Sequence, residues 1–232
     1  MRHPTKDDCF KTLKSIGAPI GTILDVGVKT CTYELLRAFP DHHHVLMEPI
    51  VEYNDEMRRN YERTNTSFEV INAAICDRDG GVRLKTTTVY ADKPISHARI
   101  TDDNVEDDDH RVVPSMTLDG IVATRELKDP FLLKVDVDGA ELLVLKGAKE
   151  ALRRTSVVVI ETGFANMVER AAALLAEGFE VFDVVDISYY NDRFVQADMV
   201  FIRCDIVRDR QLEVYRDGFD VAKWQPYMPN NP

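Results

Sequence analysis

A chain of 232 residues has room for one α/β domain of ordinary size or two small ones, and 44% hydrophobic residues suffice for a sizeable core. A net charge of −11 argues against a nucleic-acid backbone as partner, because phosphate binding needs clustered Lys and Arg. No apolar run reaches the length of a membrane span, no basic-then-apolar leader opens the chain, and Cys9, Cys31, Cys76 and Cys204 are scattered without metal or disulfide spacing. The expectation is a cytoplasmic protein with reduced thiols, without nucleic acid or membrane as partner.

In chain order, residues 1–21 form an N-terminal helical extension. Its helical pattern covers about residues 5–16 and ends at Gly17 and Pro19, with Phe10, Leu13 and Ile16 on one face. Thr22-Ile23-Leu24-Asp25-Val26-Gly27 reads as a buried strand ending on an acid and a glycine. Helical spacing resumes at Tyr33 and Leu36 and stops at Pro40. His44-Val45-Leu46-Met47-Glu48-Pro49 is a second short strand, also ending on an acid. His42-His43-His44 points in divergent directions and reads as a solvated loop leading into it. An amphipathic helix over about 51–63 and a strand over 67–75 follow. Strand, helix, strand, helix, strand is half of a doubly wound sheet.

Asp77-Arg78-Asp79-Gly80-Gly81 is a turn by composition, and 82–89 a strand rich in Thr and Val. Residues 92–110 break the rhythm, with His97 in a loop before a dense acidic run at 102–109. That run reads as a solvated loop, or alternatively as a lid or docking surface. A short strand at 111–114 and a helix from Thr117 lead to Leu132-Leu133-Lys134-Val135-Asp136, an apolar run of strand length. Asp138 and Glu141 follow at once, and Leu142, Leu145 and Ala148 mark one face of a helix. A further strand at 157–162 ends near Glu161. A helix at about 166–177 comes next, and strands at 179–187 and 199–203 flank a polar, aromatic connection. The peripheral tail, 205–232, packs on the domain or on a second subunit of a homo-oligomer. Without an internal repeat or a linker, residues 1–232 read as a single domain.

Carboxyl ends of parallel strands are where ligands bind in open α/β sheets. At the first such end, glycine lets backbone approach a ligand and a helix start offers free N–H groups. Glu48 follows Gly27 by about 20 residues, the separation of a ribose-binding carboxylate from the glycine turn. Such a side chain is expected to be open to solvent without ligand. Asp136, Asp138 and Glu141 flank a glycine at another strand end and would repel one another unless neutralised. Asp136 suits a base, an orienting group or a ligand to a divalent cation, while Asp138 or Glu141 suits a helix cap. No metal is assigned. His97 suits a general base near a hydroxyl acceptor.

Lys134-Val135-Asp136-Val137-Asp138-Gly139-Ala140-Glu141, with Leu145 and Gly147 after it, resembles the signature block of the FkbM-like methyltransferases. These are class I enzymes that use S-adenosylmethionine (SAM). Only Asp138 departs, where the family usually has Glu. The resemblance extends over about residues 23–202. It implies a doubly wound, mostly parallel, Rossmann-like seven-stranded sheet of order 3-2-1-4-5-7-6 with a terminal antiparallel strand. Asp25, Gly27, Lys29 and Cys31 would wrap the methionine moiety of SAM. Lys29 stands where the family usually has Asn, and Cys31 where it has Gly. Glu48 would hold the ribose, Asn72 and Ala73 would lie near the adenine, and Asp136 would also face the cofactor. The implied activity is O-methyl transfer to a small-molecule, sugar or glycan hydroxyl, with Asp136 and His97 as catalytic candidates. Two alternatives are a regulatory module with a vestigial SAM site and an NAD-dependent oxidoreductase on the same type of sheet.

Overall fold

The computed structural model describes residues 2–88, 95, 97–101 and 109–227. The acidic run thus lies outside the described residues except for Asp109. In chain order the elements are α1 (Lys6–Ser15), β1 (Thr22–Val26), α2 (Tyr33–Ala38), β2 (His43–Met47), α3 (Asn54–Glu62), β3 (Phe68–Ile71) and β4 (Ala74–Ile75). Next come β5 (Gly80–Thr87), β6 (His97–Ile100), β7 (His110–Met116), α4 (Leu118–Ala123), β8 (Phe131–Val135), α5 (Glu141–Lys146) and α6 (Lys149–Arg153). The chain closes with β9 (Thr155–Gly163), α7 (Met167–Ala176), β10 (Phe179–Tyr190), β11 (Arg193–Arg203) and α8 (Cys204–Asp209).

Seven strands form one sheet in the order β3-β2-β1-β8-β9-β11-β10. Counting only those strands along the chain, this is the expected 3-2-1-4-5-7-6. β11 runs antiparallel to both β9 and β10, as expected of the terminal strand. Alternation along the central strands divides the core between two faces. Leu24, Leu133, Val158 and Ile160 face the cluster under α4 to α7. Ile23, Leu132, Val157 and Val159 face the cluster under α1, α2 and α8, where Phe10 meets Phe39 edge-on at 5.6 Å. With helices on both faces, the inner strands bury both faces and read as continuous apolar runs.

The structure departs from the sequence reading in four places. The expected strand at 67–75 splits at Asn72: β3 stays in the main sheet, whereas β4 joins a second, four-stranded sheet, β4-β7-β5-β6. His97 begins a strand of that sheet instead of lying in a loop. His44 is fully buried, its Nε2 bonded to the Phe39 carbonyl at 2.9 Å, so it belongs to the core and not to a solvated loop. The terminal hairpin runs through its polar connection, because Asn191 and Asp192 both take positive φ (48° and 57°), the geometry of a two-residue primed turn that matches strand twist.

The second sheet hangs beside the carboxyl end of the main sheet. Val82, Leu84, Ala98, Ile100 and Val113 pack its apolar face with Ile50 of the main domain and Leu143 of α5. The turn from α5 to α6 closes on it as well: a Cβ placed on Gly147 would stand 2.1 Å from the Cys76 carbonyl oxygen. Gly147→Ala should therefore lower stability by about 1–3 kcal/mol, the range for overpacking. Gly81→Ala, where the same Cβ meets nothing nearer than 3.6 Å, should change little. Urea denaturation of the two variants checks this; equal midpoints would refute the steric account.

Candidate active site

Three strand ends and the β6 segment converge on one depression. The turn after β1, residues 27–32, is pressed against the turn after β8. Asp136 N donates to Val26 O at 3.0 Å, and a Cβ on Gly27 would stand 1.8 Å from Asp136 O. Only glycine fits there, and its φ of +82° is also one that other residues rarely adopt. Lys29 takes φ +53°, in the left-handed region that Asn enters readily, so Lys holds the backbone shape that the usual Asn would give. In that shape Lys29 N donates to Glu48 Oε2 at 2.8 Å. Ile50 N donates to Glu48 Oε1 at 2.9 Å.

Glu48 is thus 4% exposed, whereas the sequence reading expected it to be open to solvent. Burial pushes its carboxyl above the usual range, against the pull of the two backbone N–H groups. Each oxygen still keeps a lone pair for a further donor.

Lys134 lies beneath both turns. β1 and β8 pair in parallel with Asp25 opposite Lys134. The ammonium donates to Gly27 O at 2.9 Å and stands 3.4 Å from both Asp25 and Asp136. Burial alone would lower the Lys134 pKa, but Asp25 and Asp136 outweigh it and raise it, so the charge persists. The Cys31 thiol is pushed up to about 12 by burial and by Asp25 and Glu34, which keeps it neutral.

Asp138 takes φ +51° and accepts from Ala98 N at 3.2 Å, tying β6 to the turn after β8. Glu141 is fully buried and accepts from Val137 N at 3.3 Å and Gly139 N at 3.1 Å. Its other oxygen pairs with Arg170, which also donates to Glu161 O at 2.7 Å. Glu141 therefore organises the turn instead of offering a free oxygen. Among the described residues no three His, Cys, Asp or Glu side chains gather as metal ligands.

Two cavities adjoin here. The smaller, about 270 Å³, is lined by Gly27, Lys29, Cys31, Glu48, Asp136 and Asp138, among others. The larger, about 610 Å³, lies between the second sheet and the ends of β9 and β11, with Glu161, Gln196, Lys85 and Arg99 in its walls. His97 and Asp138 line both. Burial, then Asp136, Glu141 and Asp138, push the Glu161 carboxyl up to about 8, so at neutral pH it keeps its proton and can donate.

Of the residues singled out from sequence, Gly27, Lys29, Cys31, Glu48, Asp136 and His97 meet at the smaller cavity. Asp25 lies under it, on Lys134. Asn72 and Ala73 do not line either cavity: the Asn72 amide donates to Glu48 O and to Asn54, and Ala73 is 2% exposed in the core. Sequence reasoning left Lys134, Arg170, Lys85 and Arg99 without a role. The legible signal was Lys134, a charge inside an otherwise apolar strand.

The methyltransferase FkbM domain, as a sequence-family model, matches residues 15–188. No curated protein sequence matches the chain. Solved structures similar to it include a precorrin-6y C5,15-methyltransferase from Geobacter metallireducens (13% identity, 84% of this chain and 86% of that one, TM-score 0.46). Magnesium protoporphyrin IX methyltransferase from Synechocystis, solved with bound SAM, is another (8% identity, 85% and 77%, TM-score 0.48). A SAM-dependent methyltransferase from Clostridium acetobutylicum is a third (8% identity, 85% and 90%, TM-score 0.47).

Lys134→Met would leave Asp25, 0% exposed and without any hydrogen bond, as an uncompensated buried charge. Breaking a buried pair in this way should cost about 3–5 kcal/mol. Replacing both partners, Lys134→Met with Asp25→Leu, should recover most of the loss. Urea unfolding of the single and double variants measures both, and a single variant as stable as the unmutated protein would refute the account.

Proposed function

The chain belongs to the FkbM methyltransferase family, with SAM as methyl donor, and we propose that it methylates a hydroxyl oxygen of a small molecule, sugar or glycan. The observation that carries this reading is the junction of the two cavities. The smaller has the chemistry for the donor, the larger has room for an acceptor, and His97 and Asp138 stand where they meet.

The residues present suit SAM. The Glu48 carboxylate, fixed by two backbone N–H groups, has lone pairs left for the ribose hydroxyls. Because Gly27 lacks a side chain, the turn 27–32 lies against the Asp136 carbonyl, and that turn lines the smaller cavity. When bound, SAM supplies an electrophilic methyl group on a cationic sulfur, and the acidic lining suits that charge. Asp136, half-exposed and held by Lys134, orients the donor side. His97 accepts the proton of the acceptor hydroxyl as the oxygen attacks. Holding the two reactants at the junction removes much of the entropic barrier, and proton transfer typically adds 10²–10⁴-fold.

Glu48→Ala should weaken SAM binding by roughly 10- to 200-fold, the effect of losing charged hydrogen bonds. Because the two backbone donors lose their acceptor too, it should also lower stability by about 1–3 kcal/mol. Calorimetric titration with SAM and S-adenosylhomocysteine, beside thermal melts, tests both. Unchanged affinity would remove Glu48 from the cofactor site. For His97→Ala, turnover should fall by about 100-fold or more with SAM affinity unaltered. Full turnover in that variant would remove His97 from the chemistry.

A further inference from the structure

We propose that the acceptor carries an oxyanion, a carboxylate or a phosphate, gripped between Lys85 and Arg99 in the larger cavity. The inference builds on the methyl-transfer reading for the reaction, but its binding claim stands apart.

β5 and β6 pair antiparallel, with Leu84 opposite Ile100, Lys85 opposite Arg99, Thr86 opposite Ala98 and Thr87 opposite His97. Opposed residues leave a sheet on the same side. Leu84, Ala98 and Ile100 take the apolar side. Lys85, Thr87, His97 and Arg99 take the other, and all four line the larger cavity. Two cations directly opposite one another destabilise a sheet. This chain has acids to spare, 40 against 29 Lys and Arg. Several other basic side chains use them: Arg111 meets Glu52, Arg125 meets Glu69 and Arg154 meets Asp129. Among the described residues, the side chains of Lys85 and Arg99 have no hydrogen bond or ion pair. A like-charged pair, without a partner among the described residues and lining a cavity, is a place for an anion.

The strand sets the shape of the ligand. Arg99 is two residues from His97, so the anion would sit about 7 Å from the hydroxyl that His97 serves, two strand rises away. That is the span of a six-membered ring bearing the hydroxyl on one side and the anion on the other. The wall opposite offers the protonated Glu161 carboxyl, which does not repel an anion at neutral pH. Asp138 accepts from Ala98 N and lines both cavities.

The test is calorimetric titration of the protein saturated with S-adenosylhomocysteine, using inorganic phosphate, glucose 6-phosphate, glucuronate and glucose as probes. The anionic sugars should bind at least about tenfold more tightly than glucose, as charged hydrogen bonds predict. Binding of glucuronate without the phosphates assigns a carboxylate, and the reverse a phosphate. Lys85→Met and Arg99→Met should each weaken the anion by about tenfold or more. S-adenosylhomocysteine affinity should stay the same and the melting temperature unchanged or higher, since repulsion is relieved. Equal anion binding by the unmutated and doubly substituted proteins overturns the proposal. So does glucose binding as tightly as every anionic probe, absence of anion binding in the unmutated protein, or a lower melting temperature on losing either cation. Failure to bind S-adenosylhomocysteine, with anions still bound, overturns the methyl-transfer reading alone.

Discussion

The candidate site is built around one buried ammonium. Lys134 occupies a central strand where an apolar side chain would ordinarily stand, and its position is tolerable only because acceptors surround it. In return it fixes relations that packing alone would leave loose. It ties the end of β8 to the end of β1 through Asp25, draws in the carbonyl of Gly27, and orients Asp136 at the cavity wall. A ligand site built on loops needs such anchoring, because the rigid strands stop just short of it.

A second constraint sits in the backbone. Gly27, Lys29, Asp138 and Gly139 all take positive φ within the same small region. For the two that are not glycine, this conformation costs roughly 1–2 kcal/mol each. The surroundings hold them there: Lys29 gives its N–H to Glu48, and the Asp138 carboxylate receives Ala98 N. Each strained residue therefore joins two elements, one binding β2 to the first turn and the other binding the second sheet to the turn after β8. Concentrated strain of this kind is found where a fold keeps ligand-binding backbone in place.

How legible this was from sequence followed the range of the interactions. The main sheet could be read because each strand is a short apolar run closed by an acid, a glycine or a proline, and those are local signals. Glu48 was legible through its distance from Gly27, although not its burial, which depends on how the first turn folds over it. Two strands of the second sheet were read, at 82–89 and 111–114, but β6 and the grouping into a separate sheet were missed because an acidic stretch interrupts the rhythm between them. His44 was read both as the start of the second strand and as part of a solvated histidine loop; the strand reading holds, and its burial depends on the Phe39 carbonyl that the fold brings to its ring. Arg170 lines the larger cavity, held by Glu141 and the Glu161 carbonyl, and no spacing rule announces such a pair. At Lys29 the backbone takes a left-handed turn, and the Cys31 thiol stays neutral, neither of which the sequence announces.

The strand order also bears on how the chain reaches this state. Thr22 of β1 pairs with Phe131 of β8, so the two strands at the middle of the sheet come from distant parts of the sequence. While the chain is being synthesised, β1, β2 and β3 can assemble early, but one edge of β1 stays unpaired until β8 emerges. That edge presents Ile23, Leu24 and Val26, the kind of open apolar strand that invites association with other chains. Closing so long a loop is slow in entropic terms. The same topology that sets Lys134 beside Asp25 thus leaves the edge of the central strand open until the later half of the chain is in place.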